Sequence, residues 1–313
     1  MTSSQLQYRQ LNLWLIFNRF RELGIVGFII GLTVVVSLIA PSFFTLTNLR
    51  DILMDIGILV IVGLAQAMII ITRGIDLSVS SMIGLVAMMI SFLVRAAPET
   101  SPAILLALGI ALGSVFGSFN GLIIAVGKVP PIIATLGTLS IYRGLIFLYS
   151  NGNWVNAFQM PLAFKQLAKA APLGLPSLVI FAAGVAVLAY LFLNYTQPGR
   201  NIYAVGSNPE AAIMAGVRIQ RVTFMVYALS GMACGLAGVL WASRFEAAQT
   251  NTALGFELQT VAAAVVGGVS LLGGTGTVPG VALGALLLGM IQNALTLVRI
   301  SPFWQLAVQG LLI

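Results

Sequence analysis

An arginine and an aspartate lie three residues apart in the stretch RGIDLS, residues 73–78, between two long apolar runs. Arg73 could pair with Asp76 or with a lipid phosphate. Asp76, with Ser78 behind it, could accept backbone amides and cap a helix that starts at Leu77. A polar turn in such surroundings is either a structural cap or part of a polar path. The residues alone leave both interpretations open.

Uncharged polar side chains are the other candidates for chemistry within the apolar runs. Amides and hydroxyls suit hydrogen bonding to a neutral polar solute, but they also form hydrogen bonds between helices. The positions predicted to line a path are Gln66, Asn120, Thr135, Thr138, Ser140, Gln292 and Asn293. Arg143 is the one charge well inside a predicted span, and we expect it to reach a membrane face or an acidic partner rather than a solute.

Residues for catalysis or metal binding are scarce. The chain has no histidine and a single cysteine, Cys234, which excludes a Ser-His pair, a Cys-His pair and a thiolate zinc site within one chain. The run GLIIAVGKV, residues 121–129, is one residue too long for a phosphate loop and has Val where Ser or Thr must bind magnesium. We expect no catalytic site, no metal site and no cofactor bound by this chain.

The composition predicts a membrane protein. Of the 313 residues, 59% are hydrophobic and 7% are charged, whereas a soluble domain carries about 25% charged residues. The apolar runs are long and continuous, as in spanning helices. We therefore expect an all-α polytopic membrane protein of about ten transmembrane helices in two weakly related halves. The predicted spans are 23–40, 56–72, 77–94, 102–126, 131–149, 175–195, 222–242, 257–273, 277–297 and a last run from about 302.

Charge sets the expected orientation. The net charge is +7, and most Lys and Arg residues lie in short polar connections, which suits the positive-inside rule better than nucleic-acid binding. Residues 1–22 are predicted to be a cytoplasmic amphipathic segment, and residues 23–313 a single transmembrane domain. The 196–221 connection then falls on the cytoplasmic side, and the 150–173 connection, with two lysines and no acid, falls outside. The final run is short for a span, so we expect the natural chain to continue beyond Ile313.

A weak internal repeat relates two polar turns. A shift of 194 residues places RGIDLSVSSMIGLVAMM on GGVSLLGGTGTVPGVAL, span 56–72 on 250–266 and span 77–94 on 271–288. Transporters are often built from two related halves. The two turns could therefore close the inner end of a path as a pair. The candidate gate residues are Arg73, Asp76, Ser78 and Ser270.

The stretch NPEAAIMAGV, residues 208–217, predicts a short helix outside the membrane. An Asn-Pro break begins it, Glu210 lies in its first turn where an acid suits the helix dipole, and Gly216 is placed to end it. We expect a small, smooth face against which a partner could lie. That face consists of Ala211, Ala212, Met214 and Ala215.

Glu210-Ala211-Ala212, three residues and then Gly216 resemble the EAA---G motif of permease subunits in bacterial ATP-binding-cassette importers. GRNIYAVGSNPEAAIMAGV, TRGIDLSVSSMIGL, VPPIIATLGTLSIYRGL and AAAVVGGVSLLGGTGTVPGVALGALLLG are similar to the ribose, xylose, galactose, rhamnose and autoinducer-2 group, over residues 41 to the end. Relatives usually carry Gly where this chain has Ser80, and commonly Gly at Arg73. The ATPase-coupling residues that the resemblance implies are Asn208, Pro209, Glu210, Ala211, Ala212, Gly216 and Arg218.

The resemblance also implies an assembly in the bacterial inner membrane. A second permease chain, identical or homologous, would share the path, and a periplasmic sugar-binding protein would deliver a monosaccharide or sugar-like solute. Two ATPase subunits would bind ATP and Mg, so the permease itself would not be an enzyme. The alternative is a secondary transporter driven by an ion gradient, which would require acidic residues inside the membrane.

Overall fold

The computed structural model describes residues 21–172 and 174–300, with Trp304 and Gly310. Within these residues the chain forms twelve α-helices and no β-strand. They are α1 Arg21–Ile39, α2 Leu46–Ile71, α3 Val79–Ala96, α4 Pro102–Ala125, α5 Pro131–Ser150, α6 Leu162–Lys169, α7 Ser177–Tyr195, α8 Gln197–Ser207, α9 Pro209–Met214, α10 Ile219–Phe245, α11 Phe256–Val266 and α12 Val278–Leu297. The predicted N-terminal segment, apart from its last two residues, and the predicted span from about 302 lie outside the described residues.

Eight of these helices are long and apolar enough to cross a membrane. They are α1, α2, α3, α4, α5, α7, α10 and α12. The expected all-α polytopic fold is confirmed, and each of these helices overlaps one predicted span. Two predicted spans differ from the structure. The helix predicted over 56–72 begins ten residues earlier, at Leu46, and within the predicted span 257–273 the helix α11 has only 11 residues and ends at Val266.

Prolines and hydroxyl side chains mark where the membrane helices begin. Pro102 is the first residue of α4, and Ser101 Oγ caps the helix by accepting a hydrogen bond from Ile104 N at 3.4 Å. Pro131 is likewise the first residue of α5, after the KVPP break, although no side chain caps this helix. Proline is tolerated in a first turn because its missing N–H would have no intrahelical partner there.

The core of the bundle is α2, which is buried almost throughout its length. It packs against α7, α10, α11 and α12. A helix that is apolar on all sides is stable only in such a central position or facing lipid. By contrast, α1 leaves most of its apolar side chains exposed, as expected of a helix that faces lipid.

The closest helix pair is α4 with α10, and glycine makes it possible. A Cβ atom on Gly113 would lie 2.1 Å from Gly231 O, and one on Gly231 would lie 2.1 Å from Gly113 O. The backbones therefore touch directly, which is the main packing contribution available in lipid. This confirms the close-packed bundle expected from the glycine runs in residues 109–121 and 235–243.

The two polar turns that the repeat relates lie in contact. Gly274 N donates a hydrogen bond to Ile71 O at 2.9 Å, which joins the 267–277 turn to the end of α2. The predicted match of span 56–72 to 250–266 holds only in part, because α11 begins at Phe256. Ala253 and Gly255 have left-handed backbone conformations that interrupt the helix. We call the end of the bundle that carries these two turns and the 196–221 connection the inner end.

Candidate functional site

The 196–221 connection folds into two short helices, α8 and α9, at the inner end. Asn208 separates them and caps α9, its Oδ1 accepting a hydrogen bond from Ala211 N at 3.0 Å. Pro209 occupies the first helical position. The helix ends in a Schellman motif, because Val217 N donates to Ala212 O and Gly216 N donates to Ile213 O, both at 2.9 Å. Gly216 has φ +81°, a conformation that favours glycine.

The side of α9 that faces away from the bundle is an exposed apolar patch. Met214 is 90% exposed and Ile213 is 59% exposed, beside the exposed carboxylate of Glu210. The predicted partner face is wrong in one residue, since Ala212 is buried against the bundle. Ala212 packs α9 against the bundle, whereas Ala211, Met214 and Ala215 remain accessible. A protruding helix with an apolar tip and flanking charges is suited to docking against another protein.

At the inner turn, residues 72–78, Asp76 forms the centre of a buried polar cluster. Its Oδ1 accepts hydrogen bonds from Ser78 N at 2.9 Å and Ser78 Oγ at 2.6 Å. Asn120 on α4 donates to Ser78 Oγ at 2.8 Å. The three side chains are fully buried, and they connect the turn to a neighbouring span.

Two further predicted path residues meet the same turn. The buried Gln66 amide lies against the Asp76 backbone; in the orientation that satisfies both groups, its nitrogen donates to Asp76 O at 3.2 Å and its oxygen accepts from Asp76 N at 3.1 Å. Thr135 Oγ1 lies 3.3 Å from Ile75 O, but its nearer acceptor is Pro131 O of its own helix at 2.9 Å. Gln66 and Asn120 thus hold the turn, which is the interhelical role open to intramembrane polar groups.

Two of the contacts expected at this turn are not formed. Arg73 does not pair with Asp76; its Nε donates to Gly206 O at 2.7 Å and its Nη2 to Ser207 O at 2.9 Å, and pairing with a lipid phosphate stays a prediction. Asp76 does not cap a helix starting at Leu77, because α3 begins at Val79 and Asp76 closes the tight turn before it. The cause is the same in both cases, since the chain folds back after α2 and carries Asp76 to the level of Gln66.

The other predicted residues lie elsewhere. Thr138 is buried and donates to Thr135 O within α5, whereas Ser140 is exposed on the outer side of that helix. Asn293 forms a reciprocal amide pair with Asn48 at 2.9 and 3.0 Å, and Gln292 is half-buried beside it. In the other polar turn, Ser270 Oγ accepts from Leu272 N at 3.2 Å. Whether any of these residues contacts a solute stays a prediction.

We expect Asp76→Asn to fold and to retain uptake, because asparagine keeps the Oδ1 atom that accepts both hydrogen bonds from Ser78. Asp76→Ala should instead lose about 1–3 kcal/mol of stability, since it leaves the buried Ser78 N–H without its acceptor. Thermal unfolding in detergent and solute uptake in proteoliposomes measure the two effects. A correctly inserted Asp76→Asn protein that has lost uptake would contradict the structural role and assign the carboxylate to a gate.

At the opposite, outer end, Glu246 supplies the acid that the 150–173 connection lacks. Lys165 Nζ lies 3.4 Å from Glu246 Oε2, and Lys169 binds the other oxygen. The hydrogen bond from Lys169 lowers the pKa of Glu246. Arg143 was expected to find a membrane face or an acid. Its Nη1 donates to Thr250 O and Thr252 O at 3.0 Å, and the negative charge of Glu257 also acts on its guanidinium.

Several residues of the inner end were not predicted. Tyr142 donates to Phe116 O at 2.8 Å and contacts Asn120 Oδ1 at 3.4 Å, which extends the polar cluster. Tyr203 on α8 donates to Gly276 O at 2.9 Å, and Gly206 allows α8 to approach α2. Their partners are mainly backbone carbonyl groups. Every residue has such a group, so the sequence does not show which of them a tyrosine will contact.

The comparisons with known proteins agree with these features. Residues 48–313 match the family described as branched-chain amino acid transport system / permease component. The chain is 36% identical over 284 residues to the ribose import permease protein RbsC of Escherichia coli (strain K12), covering 90% of this chain and 88% of that protein. It is 34% identical over 282 residues to RbsC of Bacillus subtilis (strain 168), covering 90% and 87%. No solved structure matches significantly.

A second group of relatives transports a different solute. The chain is 36% identical over 285 residues to the autoinducer 2 import system permease protein LsrC of Salmonella typhi, covering 91% of this chain and 81% of that protein. The expected resemblance to importer permeases is confirmed, and the matches do not support the ion-gradient alternative. This chain therefore belongs to the family of membrane permease components to which the branched-chain amino acid, ribose and autoinducer-2 import permeases belong.

Proposed function

We propose that this chain is the transmembrane permease subunit of an ATP-binding-cassette importer and forms the path for a monosaccharide or sugar-like solute. The observation that carries the proposal is α9, a capped helix outside the membrane bundle whose apolar tip is exposed. A separate ATPase would bind this helix, and its closure would move the inner end. ATP and Mg would be bound by that partner.

Support for a sugar-like solute comes from the relatives, whose names give ribose or autoinducer 2 as the imported solute. Among the predicted path residues, Gln66 and Asn120 hold the inner turn, so they would shape the path rather than contact the solute directly.

The orientation and the assembly belong to the same proposal. The N-terminus and α9 would lie in the cytoplasm, where the ATPase is. Arg200, Arg218 and Arg221 surround α9 and are exposed, which suits the positive-inside rule. A periplasmic binding protein would deliver the solute to the outer end, and a second permease chain, identical or homologous, would complete the path.

Reconstitution tests the proposal. Proteoliposomes containing this chain, the ATPase and the binding protein encoded beside it should accumulate labelled ribose or autoinducer 2 only when ATP is present on the ATPase side. Omission of the ATPase is the matched control. Accumulation that persists without the ATPase and follows a proton or sodium gradient would contradict the proposal.

A further inference from the structure

Arg73 joins two segments that are far apart in sequence, the end of α2 and the end of α8. Its guanidinium donates to the carbonyl oxygens of Gly206 and Ser207, at 2.7 and 2.9 Å. These are the last two carbonyls of α8, and the final carbonyls of a helix have no intrahelical donor. A cation there also interacts favourably with the helix dipole.

The backbone of Arg73 is in an unfavourable conformation. Arg73 has φ +66° and occupies the turn position that ends α2, with Gly74 N donating to Ile69 O and Arg73 N donating to Ile70 O. This is the Schellman position at which glycine is usual, and a side chain there is strained. In this chain the long side chain at this strained position is held by two hydrogen bonds, which offset part of the backbone strain.

Three segments converge at this residue. A Cβ atom on Gly206 would overlap Ile71 O, so α8 touches the end of α2 directly. The second polar turn joins them, because Gly274 N donates to Ile71 O and a Cβ on Gly273 would meet Arg73 Cγ. The ends of α2 and α8 and the turn 267–277 therefore form one joint around the Arg73 side chain.

The joint lies between α9 and the buried polar cluster around Asp76. On one side, Ser207 is followed immediately by Asn208, the cap of α9. On the other side, Asp76 is three residues from Arg73, and its backbone is paired with the Gln66 amide inside the bundle. The hydrogen bonds of Arg73 therefore connect the start of α9 to the inner turn over a short distance along the chain.

We propose that Arg73 is a positioning residue that couples movement of α9 to the two inner turns. The inference rests on the proposed function, in which a partner ATPase moves α9. The two hydrogen bonds from the planar guanidinium would fix the orientation of α8 as well as its distance, in addition to the backbone contacts of the joint. Lysine, with a single charged centre on a flexible stem, should transmit the movement only in part.

The test uses Leu272→Cys as a reporter on the second polar turn. Leu272 is 84% exposed, and Cys234, the only native cysteine, is buried, so a polar maleimide should label the introduced thiol selectively. The complex with its ATPase is labelled without nucleotide and after trapping with ATP and vanadate. With Arg73 present, trapping should change the labelling rate roughly 5-fold or more, the lower range of allosteric coupling.

Arg73→Gly is the decisive variant. Glycine relieves the strained backbone, so the protein should fold and still co-purify with the ATPase. Trapping should then change the labelling rate clearly less than in the parent, because only the backbone contacts among α2, α8 and the second polar turn remain. Arg73→Lys should give an intermediate response. Lys128→Gly is the matched control: Lys128 also has a positive φ, is exposed, and makes no side-chain hydrogen bond or ion pair within the described chain. Its complex should respond like the parent.

Two results would overturn the inference. One is an Arg73→Gly complex whose labelling responds to trapping as strongly as the parent, and the other is a parent complex that shows no response. Uptake by the parent complex separates this outcome from failure of the proposed function. If ATP still drives uptake, only the role of Arg73 is wrong; if uptake does not depend on ATP, the proposed function is wrong.

Discussion

Replacing Gly113 by alanine should destabilise the permease by about 1–3 kcal/mol, the usual cost of overpacking. The new Cβ would lie 2.1 Å from Gly231 O and 2.6 Å from Gly235 Cα. Both are backbone atoms, so no change of rotamer can make room and the two helices must separate. Gly113→Leu should prevent folded protein from accumulating. Thermal unfolding and size-exclusion chromatography in detergent measure the two effects.

Gly184→Ala is the control, because Gly184 is helical like Gly113 but exposed, and among the described residues no other part of the chain comes within 4 Å of its Cβ position. Alanine has a higher helix propensity than glycine by about 1 kcal/mol, so this variant should be as stable as the parent or more stable. Equal stability of Gly113→Ala and Gly184→Ala would show that α4 and α10 are not in backbone contact.

Reversing the charge of Glu210 should uncouple ATP hydrolysis from uptake without preventing insertion. Glu210 is exposed in the first turn of α9, and its side chain makes no hydrogen bond or ion pair within the part of the chain described. Glu210→Lys would therefore change the docking surface and weaken α9 only slightly through the helix dipole. Uptake in the reconstituted system should fall roughly tenfold or more, as when a hot-spot residue of an interface is removed.

Gly216→Glu should have the same consequence for a second reason. Its side chain would have space, but φ +81° is strained for any residue other than glycine and the Schellman end of α9 would be distorted. Glu99→Lys is the control, because it reverses a charge on an exposed residue of the connection after α3, at the outer end. Normal uptake by both α9 variants would remove the coupling role assigned to this helix.

The sequence predicted the short helix α9 almost completely because its signals are local. Asn208 caps and Gly216 ends α9 through hydrogen bonds between residues three to five apart, and Pro209 begins it because proline has a helical φ and no N–H to satisfy. The sequence did not predict which side of this six-residue helix faces the bundle. Ala212 is buried by contacts with other parts of the chain, and a helix this short shows no clear apolar period.

By itself the sequence determined the membrane-spanning helices, most of their boundaries and the short helix α9, because apolar length, proline and capping residues act over a few neighbouring positions. The tertiary structure decided what the RGIDLS turn contacts. Arg73 reaches carbonyl oxygens more than a hundred residues away, and Asp76 is enclosed by α2 and α4. Backbone carbonyls are the same in every residue, so a sequence cannot show which of them an arginine will bind. That choice depends on the approach of α8 to α2, which the packing of the bundle sets.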